Sequence, residues 1–538
     1  MTSSFKNVPL LTLISDTRQR TKARIIAAFL LLAATGLSQA APNFSFSNAP
    51  GPYRVGFKVV HQYDHTRVYR EETDSVTGNL TKGERARPLQ TLVWYPANGS
   101  GRAMVYGDYL RFTGSEDNFS RTDEQVRSIS DNFIRDTYAS ESGPEQAKQE
   151  LSGRMRAHRD ATPVDGKFPL VIYSPSISAP AAENADLCEY LASHGYVVIA
   201  SPSLGKHSRD MTSDLEGAET QAADITFLLA YAHKLPQVNT DEVAVMGYSW
   251  GGIANVFAAA RDSRVRALVN LDGSVRYYPD LVAASKYVTP FNVRVPMLYL
   301  AQRPLSLEEV AERGKPAISF LNQMKYGDLY KLTLYPMEHF AFSATYLRFA
   351  SDKMYNQYPR AEVNRAFGWS ATYVLRFLDA YLKHDATAKT FLTKPLEQNG
   401  IPAYAATMEV REAVGAAPGR AALAAELSRR GFAHAHEAYQ TMHAQDPAFE
   451  LKEVELNQWG YLLLRAGEPR KAVEIFKLAT VLHPTSANAF DSLADGCQRA
   501  GDNAGAVANY QRSLQLDAKN TNAQRRLREL KADKTVSG

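Results

Sequence analysis

Cysteine is nearly missing from this chain: its 538 residues hold two, Cys188 and Cys497, far apart in the sequence. So sparse a pair excludes a disulfide framework, and no His/Cys cluster stands at ligand spacing, so no structural zinc site is expected. The sequence implies neither a metal nor a cofactor. An excess of one charge is also lacking. The formal net charge is +4. Residues 1–40 carry all of it, since Lys6, Arg18, Arg20, Lys22 and Arg24 stand against Asp16 alone, 5 − 1 = +4. The remainder is formally neutral, which excludes the clustered positive charge that a nucleic-acid partner requires. Long apolar runs are scarce as well. The run Ile25–Leu37 has 13 residues, short of the ~20 that span a bilayer. What is present, 45% apolar and 22% charged residues, is the balance of a soluble globular protein, and the length asks for two or three domains.

The N-terminal charge has its own explanation. "RQRTKAR" precedes the apolar run, which is followed by "SQA" and then "APNF". A basic segment, a short apolar core and a small-x-small site make a secretory signal over residues 1–40. The mature protein is then expected to begin near Ala41, in the periplasm or outside the cell, with no integral span left after signal removal.

From 41 to 385 the chain alternates strand-like and helix-like stretches. Strand candidates are 55–63, 89–96, 168–174, 197–201, 243–247, 265–271, 295–301 and 330–336. The middle ones are short continuous apolar runs, as in strands buried on both faces of a mostly parallel sheet. Helical patterns such as "AENADLCEYLASHG" and "ETQAADITFLLAYAHKL" lie between them. This rhythm predicts an α/β fold with helices flanking the sheet. Residues 106–160 interrupt it as a polar insertion, either a lid or a surface excursion. Residues 386–418 lose periodicity and are expected to be a linker or edge segment.

Over 419–530 the chain becomes helical and repetitive. Gly467 and Gly501 stand 34 residues apart, and the same offset sets Trp459 on Leu493, Gly460 on Ala494, Ala472 on Ala506 and Phe476 on Tyr510. A more degenerate copy holds Ala435, Tyr439 and Pro447. This small/large alternation resembles the tetratricopeptide repeat (TPR). The resemblance implies an all-α domain that takes a protein or peptide partner, packs on the preceding domain or mediates self-association.

The chemistry centres on "VAVMGYSWGG" at 243–252. Gly247-Tyr248-Ser249-Trp250-Gly251 fits G-x-S-x-G, and it lies between a buried strand and the helical "GGIANVFAAAR". Strand, sharp turn and helix form the setting of a nucleophile elbow, where small flanking residues permit a strained serine above a helix N-terminus. Such a serine needs a base, and the base an orienting acid, in the chain order serine, acid, histidine. His339, in the loop after the last strand, is preferred over His384, which sits at the polar end of a helix. For the acid, Asp272 directly follows a strand, whereas Glu308 lies farther along its loop; Asp272 is preferred. The oxyanion needs two backbone N–H donors. One is Trp250; in "YSPSISAPAAEN", Ile177 is the favoured second donor and Ser176 the alternative.

Taken together, "CEYLASHGYVVIASPS", "GYSWGGIANVFAAARDSRVRALVNLDGS" and "EHFAFSATY" resemble the platelet-activating-factor acetylhydrolase and dienelactone-hydrolase branch of the α/β-hydrolases. The resemblance covers about residues 50–385. It implies Ser249, Asp272 and His339 as a catalytic triad, Ile177 as an oxyanion donor, and a small ester or lipid-like substrate. The sequence departs from that branch in one loop, where Pro175, Ser176 and Ser178 stand in place of a glycine-containing stretch. The expected protein is therefore a secreted or periplasmic serine esterase. A degenerate hydrolase acting as an adaptor through its repeats, and an amidase or peptidase on the same fold, are the alternatives.

Overall fold

The computed structural model describes residues 42–74, 77–304, 319–355, 357–415 and 417–536. The expected signal segment 1–40 lies outside them. One sheet of eleven strands forms the body: β1 (Arg54–Val68), β2 (Ala86–Ala97), β3 (Arg102–Val105), β4 (Arg154–Arg159), β5 (Phe168–Ser174), β6 (Val197–Ala200), β7 (Val238–Tyr248), β8 (Ala267–Leu271), β9 (Met297–Ala301), β10 (Leu329–Leu334) and β11 (Ala406–Arg411). Their spatial order is β11-β10-β9-β8-β7-β5-β6-β2-β1-β4-β3. The stretch β10-β9-β8-β7-β5-β6 is parallel throughout.

Strict alternation along the central strands divides the core in two. Leu170 and Ile172 of β5 and Val243 and Val245 of β7 face one apolar cluster, with helices Leu215–Ala232 and Gly251–Arg261. Val171, Tyr173, Ala244 and Met246 face the other, with helices Ala185–Ser193 and Arg360–Leu382. A strand covered on both faces shows no polar alternation, which is why these runs are continuously apolar.

The sheet is wider than the sequence suggests. The expected insertion 106–160 follows one added strand and ends in another: β3, at the sheet edge, is antiparallel to β4, and β4 is parallel to β1. Its helical portion runs from Tyr106 to Leu151. Residues 386–418, expected to be a linker or edge segment, contain an edge strand of the sheet and are no free linker. Helix Ala386–Thr393 packs back on the body, and Ala406–Arg411 pairs with all six residues of β10. The chain leaves the α/β body only after this strand, because an edge strand exposed on one side can be as polar as "ATMEVR" and carries little apolar signal.

Seven helices follow, from Arg420–Arg430 to Thr521–Val536. The 34-residue register recurs in their turns: Gly467 (φ 76°) and Gly501 (φ 84°) are left-handed. The N–H of Glu468 donates to the Leu463 carbonyl at 2.9 Å, and that of Asp502 to Cys497 at 2.9 Å. Both are helix C-caps of the kind glycine favours. A Cβ on Gly460 would lie 2.3 Å from the Phe476 ring, so the small residue is needed where these helices cross. The region docks on the body through buried Asp446, which accepts from the Tyr326 hydroxyl at 2.6 Å and pairs with Lys325 at 3.2 Å. Cys188 and Cys497 are both free and buried. Among the described residues no helix is long and apolar enough to cross a membrane, and no group of three His, Cys, Asp or Glu side chains could hold a metal ion.

Candidate active site

Five parallel strands deliver their following loops to one edge of the sheet. Ser176 and Ile177 follow β5, Ser249 follows β7, Asp272 follows β8, Gln302 follows β9, and His339 lies just beyond β10. The chain runs outward from β5 to β6 and then returns to place β7 on the other side of β5. Loops after β5 and β7 therefore diverge around a crevice, the position where open α/β sheets bind ligands.

Ser249 stands at this crevice with φ 51°. A non-glycine residue in the left-handed region is strained by about 1–3 kcal/mol. The surroundings enforce it. A Cβ on Gly247 would lie 2.2 Å from the Gly251 carbonyl oxygen, and one on Gly251 would lie 2.0 Å from the Ser174 carbonyl oxygen. One on Gly252 would meet Asn270 Oδ1 at 2.4 Å. Hydrogen bonds complete the turn: the Ser249 N–H donates to Leu271, and the Ser249 carbonyl accepts from Gly252 and Ser274.

The three side chains the sequence singles out meet here. Ser249 Oγ lies 2.8 Å from His339 Nε2, and His339 Nδ1 lies 2.7 Å from Asp272 Oδ2. A carboxylate facing Nδ1 makes that nitrogen the N–H donor and leaves Nε2 to accept the serine proton. Asp272 is fully buried, whereas the His339 side chain is 40% exposed. Asp272 also has positive φ, 43°. His384 makes a solvent-side contact with Glu242 instead, at 3.0 Å, and Glu308 lies outside the described residues.

Two neighbours of Asp272 escape sequence reasoning. The Tyr277 hydroxyl lies 3.0 Å from Oδ1 and 3.2 Å from Oδ2, and the Gln302 backbone N–H donates to Oδ1 at 3.2 Å. Gln302 Nε2 in turn donates to the Tyr277 hydroxyl at 2.9 Å. These contacts satisfy the buried carboxylate and fix its rotamer. Burial, then the adjacent Asp272, push the Tyr277 phenol well above its ordinary range, so it remains a donor. The signal for Gln302 was its place directly after β9; nothing in the sequence marks Tyr277.

The oxyanion donors divide as follows. Trp250 precedes helix Gly251–Arg261, and among the described residues its N–H is engaged by no partner. The helix dipole there favours negative charge. In the facing loop the Ser176 N–H is already given to Glu183 Oε2 at 2.8 Å. The Ile177 N–H has no partner among the described residues, and its side chain is 41% exposed. Of the two alternatives, Ile177 is the one left with a free donor.

Residues 158–368 match the sequence model of the dienelactone hydrolase family, a stretch that holds Ser249, Asp272, His339, Tyr277, Gln302, Trp250 and Ile177. No curated protein sequence matches the chain significantly. Among solved structures, a ferulic acid esterase from Streptomyces cinnamoneus is 20% identical, with a TM-score of 0.47 over 65% of this chain and 96% of that one.

Proposed function

From the dienelactone-hydrolase-family segment at 158–368, a member of the α/β-hydrolase superfamily, we propose that this protein is a serine hydrolase of carboxylic esters. His339 takes the Ser249 proton as Oγ attacks the ester carbonyl, and Asp272 holds the imidazole and balances its charge. The tetrahedral oxyanion lies against the Trp250 and Ile177 N–H groups. His339 then gives the proton to the departing alkoxide, leaving an acyl group on Ser249. Water, deprotonated by His339, hydrolyses that ester and restores the hydroxyl. The observation that carries this reading is the continuous relay from Ser249 through His339 to Asp272, at 2.8 and 2.7 Å, with the serine held at φ 51°.

Short-chain p-nitrophenyl esters test it. The wild-type protein should turn them over, and Ser249→Ala should lose activity by a factor on the order of 10⁶ while keeping its fold. Turnover surviving in Ser249→Ala sinks the assignment. The same reading places the enzyme outside the cytoplasm, on the strength of the basic and apolar pattern of residues 1–40. It also gives the C-terminal helices a protein or peptide partner, supported by their repeat pattern.

A further inference from the structure

Buried carboxylates are costly unless paired, so an unpaired one calls for a reason other than stability. Most in the hydrolase body have cations: Asp224 has Arg87 at 2.6 Å, Glu116 has Arg209 at 2.6 Å, and Glu150 and Asp186 share Arg348. Among the described residues of that body, three buried carboxylates have no lysine or arginine partner: Asp272, which holds His339, and Glu183 and Glu189. Glu189 lies away from the crevice, accepting from the Tyr109 hydroxyl and the Arg156 N–H. Glu183, 1% exposed, bonds the loop that follows β5.

Its contacts are specific. Oε2 accepts the Ser176 N–H at 2.8 Å and the Tyr173 hydroxyl at 3.0 Å, and Oε1 accepts the Ser176 hydroxyl at 2.5 Å. The Glu183 carbonyl accepts from Thr345, through N–H at 3.2 Å and Oγ1 at 2.8 Å. Asn184 continues the link, donating to the Phe342 carbonyl at 3.0 Å and accepting the Ala344 N–H at 2.7 Å. Phe342 closes the turn that begins at His339, and residues 343–345 directly follow it. One dipeptide thus ties the loop after β5 to the loop that carries the histidine.

We infer that Glu183 is a positioning residue for the oxyanion-binding loop: by engaging both donors of Ser176, it leaves the Ile177 N–H free to face the Ser249 elbow. This loop holds Pro175, Ser176 and Ser178 and no glycine, so backbone freedom does not set its shape. Side-chain hydrogen bonds set it instead. Gln221 Nε2 donates to the Pro175 carbonyl at 2.8 Å, and Ser178 Oγ accepts from the Met211 N–H at 2.8 Å, which fixes the two sides of Ser176 and Ile177. The inference rests on the serine-hydrolase reading above.

The test uses the full-length protein, p-nitrophenyl butyrate, and an alkyl trifluoromethyl ketone, whose adduct with Ser249 places an oxyanion in the hole. Glu183→Ala removes the strut and should lower kcat by roughly tenfold to a hundredfold, with KM changed by less than about threefold. Affinity for the ketone should fall by the same factor as kcat. Glu183→Gln can still accept the Ser176 N–H and donate to its hydroxyl, so it should keep kcat within about threefold of wild type. If Glu183→Ala does not fold, Ser176→Ala takes its place and should show a smaller loss with the same split between kcat and KM. Full kcat in the truncated variant, a loss confined to KM, or a Glu183→Gln as impaired as Glu183→Ala would overturn the inference. A wild-type protein that neither turns over the ester nor binds the ketone would overturn the serine-hydrolase reading instead.

Discussion

The two sides of the crevice hold backbone N–H groups in place by opposite means. On the elbow side the device is steric: Gly247, Gly251 and Gly252 have no room for a Cβ, and Ser249 is forced to positive φ. On the facing side there is no glycine between Ser174 and Asn184. Buried polar side chains, Glu183 and Gln221 among them, take up the backbone and hydroxyl groups around Ile177. A steric device tolerates almost no substitution, because backbone cannot yield. A polar network tolerates any residue that restores its hydrogen bonds, and it brings a titratable group with it.

The largest effect lies behind both sides. Asp272→Asn should lower kcat by roughly 10⁴, since an amide facing Nδ1 favours the wrong imidazole tautomer. Steady-state kinetics with circular dichroism would show a folded protein of low activity; near-normal turnover would move the acid elsewhere. Gly251→Ala comes next and strikes the seam between the two sides, because its Cβ would meet the Ser174 and Pro175 carbonyl oxygens at 2.0 and 2.7 Å. Separating elbow from facing loop should destabilise the fold by about 1–3 kcal/mol. It should also lower kcat by roughly a hundredfold, as loss of one oxyanion donor does. Denaturant unfolding and kinetics on the same sample check this, and wild-type values in both would refute the steric account.

The smallest effect separates the network from the steric turn by pH. Burial raises the Glu183 carboxyl to about 7, against an ordinary value near 4.5, with hydrogen bonds from Ser176 and Tyr173 and the charge of His339 opposing the shift. The other titratable groups facing it are Tyr106, Tyr138, Tyr173, Tyr248 and Tyr346, all raised above the ordinary phenol range and so neutral here. Between 4.5 and 7 the native state therefore holds more protons than the unfolded chain, and the Glu183 contribution to stability falls as pH rises through that window. Glu183→Gln lacks this titration. Its stability relative to wild type should improve from pH 5 to about pH 7 and level off above it, whereas a constant difference in thermal midpoint would show that Glu183 does not titrate there.

These two devices also mark how far the sequence could be read. Ser249, Asp272 and His339 were legible because each follows a strand whose apolar run is unmistakable, and because glycines crowd the elbow. Helix ends and turns at Gly467 and Gly501 were legible for the same reason, a repeated steric need. Strands β3, β4 and β11 were not, since "RAMV", "RMRAHR" and "ATMEVR" are polar sequences at the two margins of the sheet whose pairing is set by their neighbours. Glu183 was illegible in another way. Its acid sits in "APAAEN" beside a helix start, where a surface residue is ordinary, and its link to Thr345 spans 162 residues of sequence. Only the fold brings the two loops together.

The central claim is that Ser249 carries the acyl group. Rapid quenching of the full-length protein with p-nitrophenyl acetate, followed by peptide mass spectrometry, tests it most directly. An acetyl adduct should form on the peptide bearing Ser249, be absent in Ser249→Ala and form more slowly in Glu183→Ala. Ester turnover with no adduct there, or with an adduct on another residue, would contradict it.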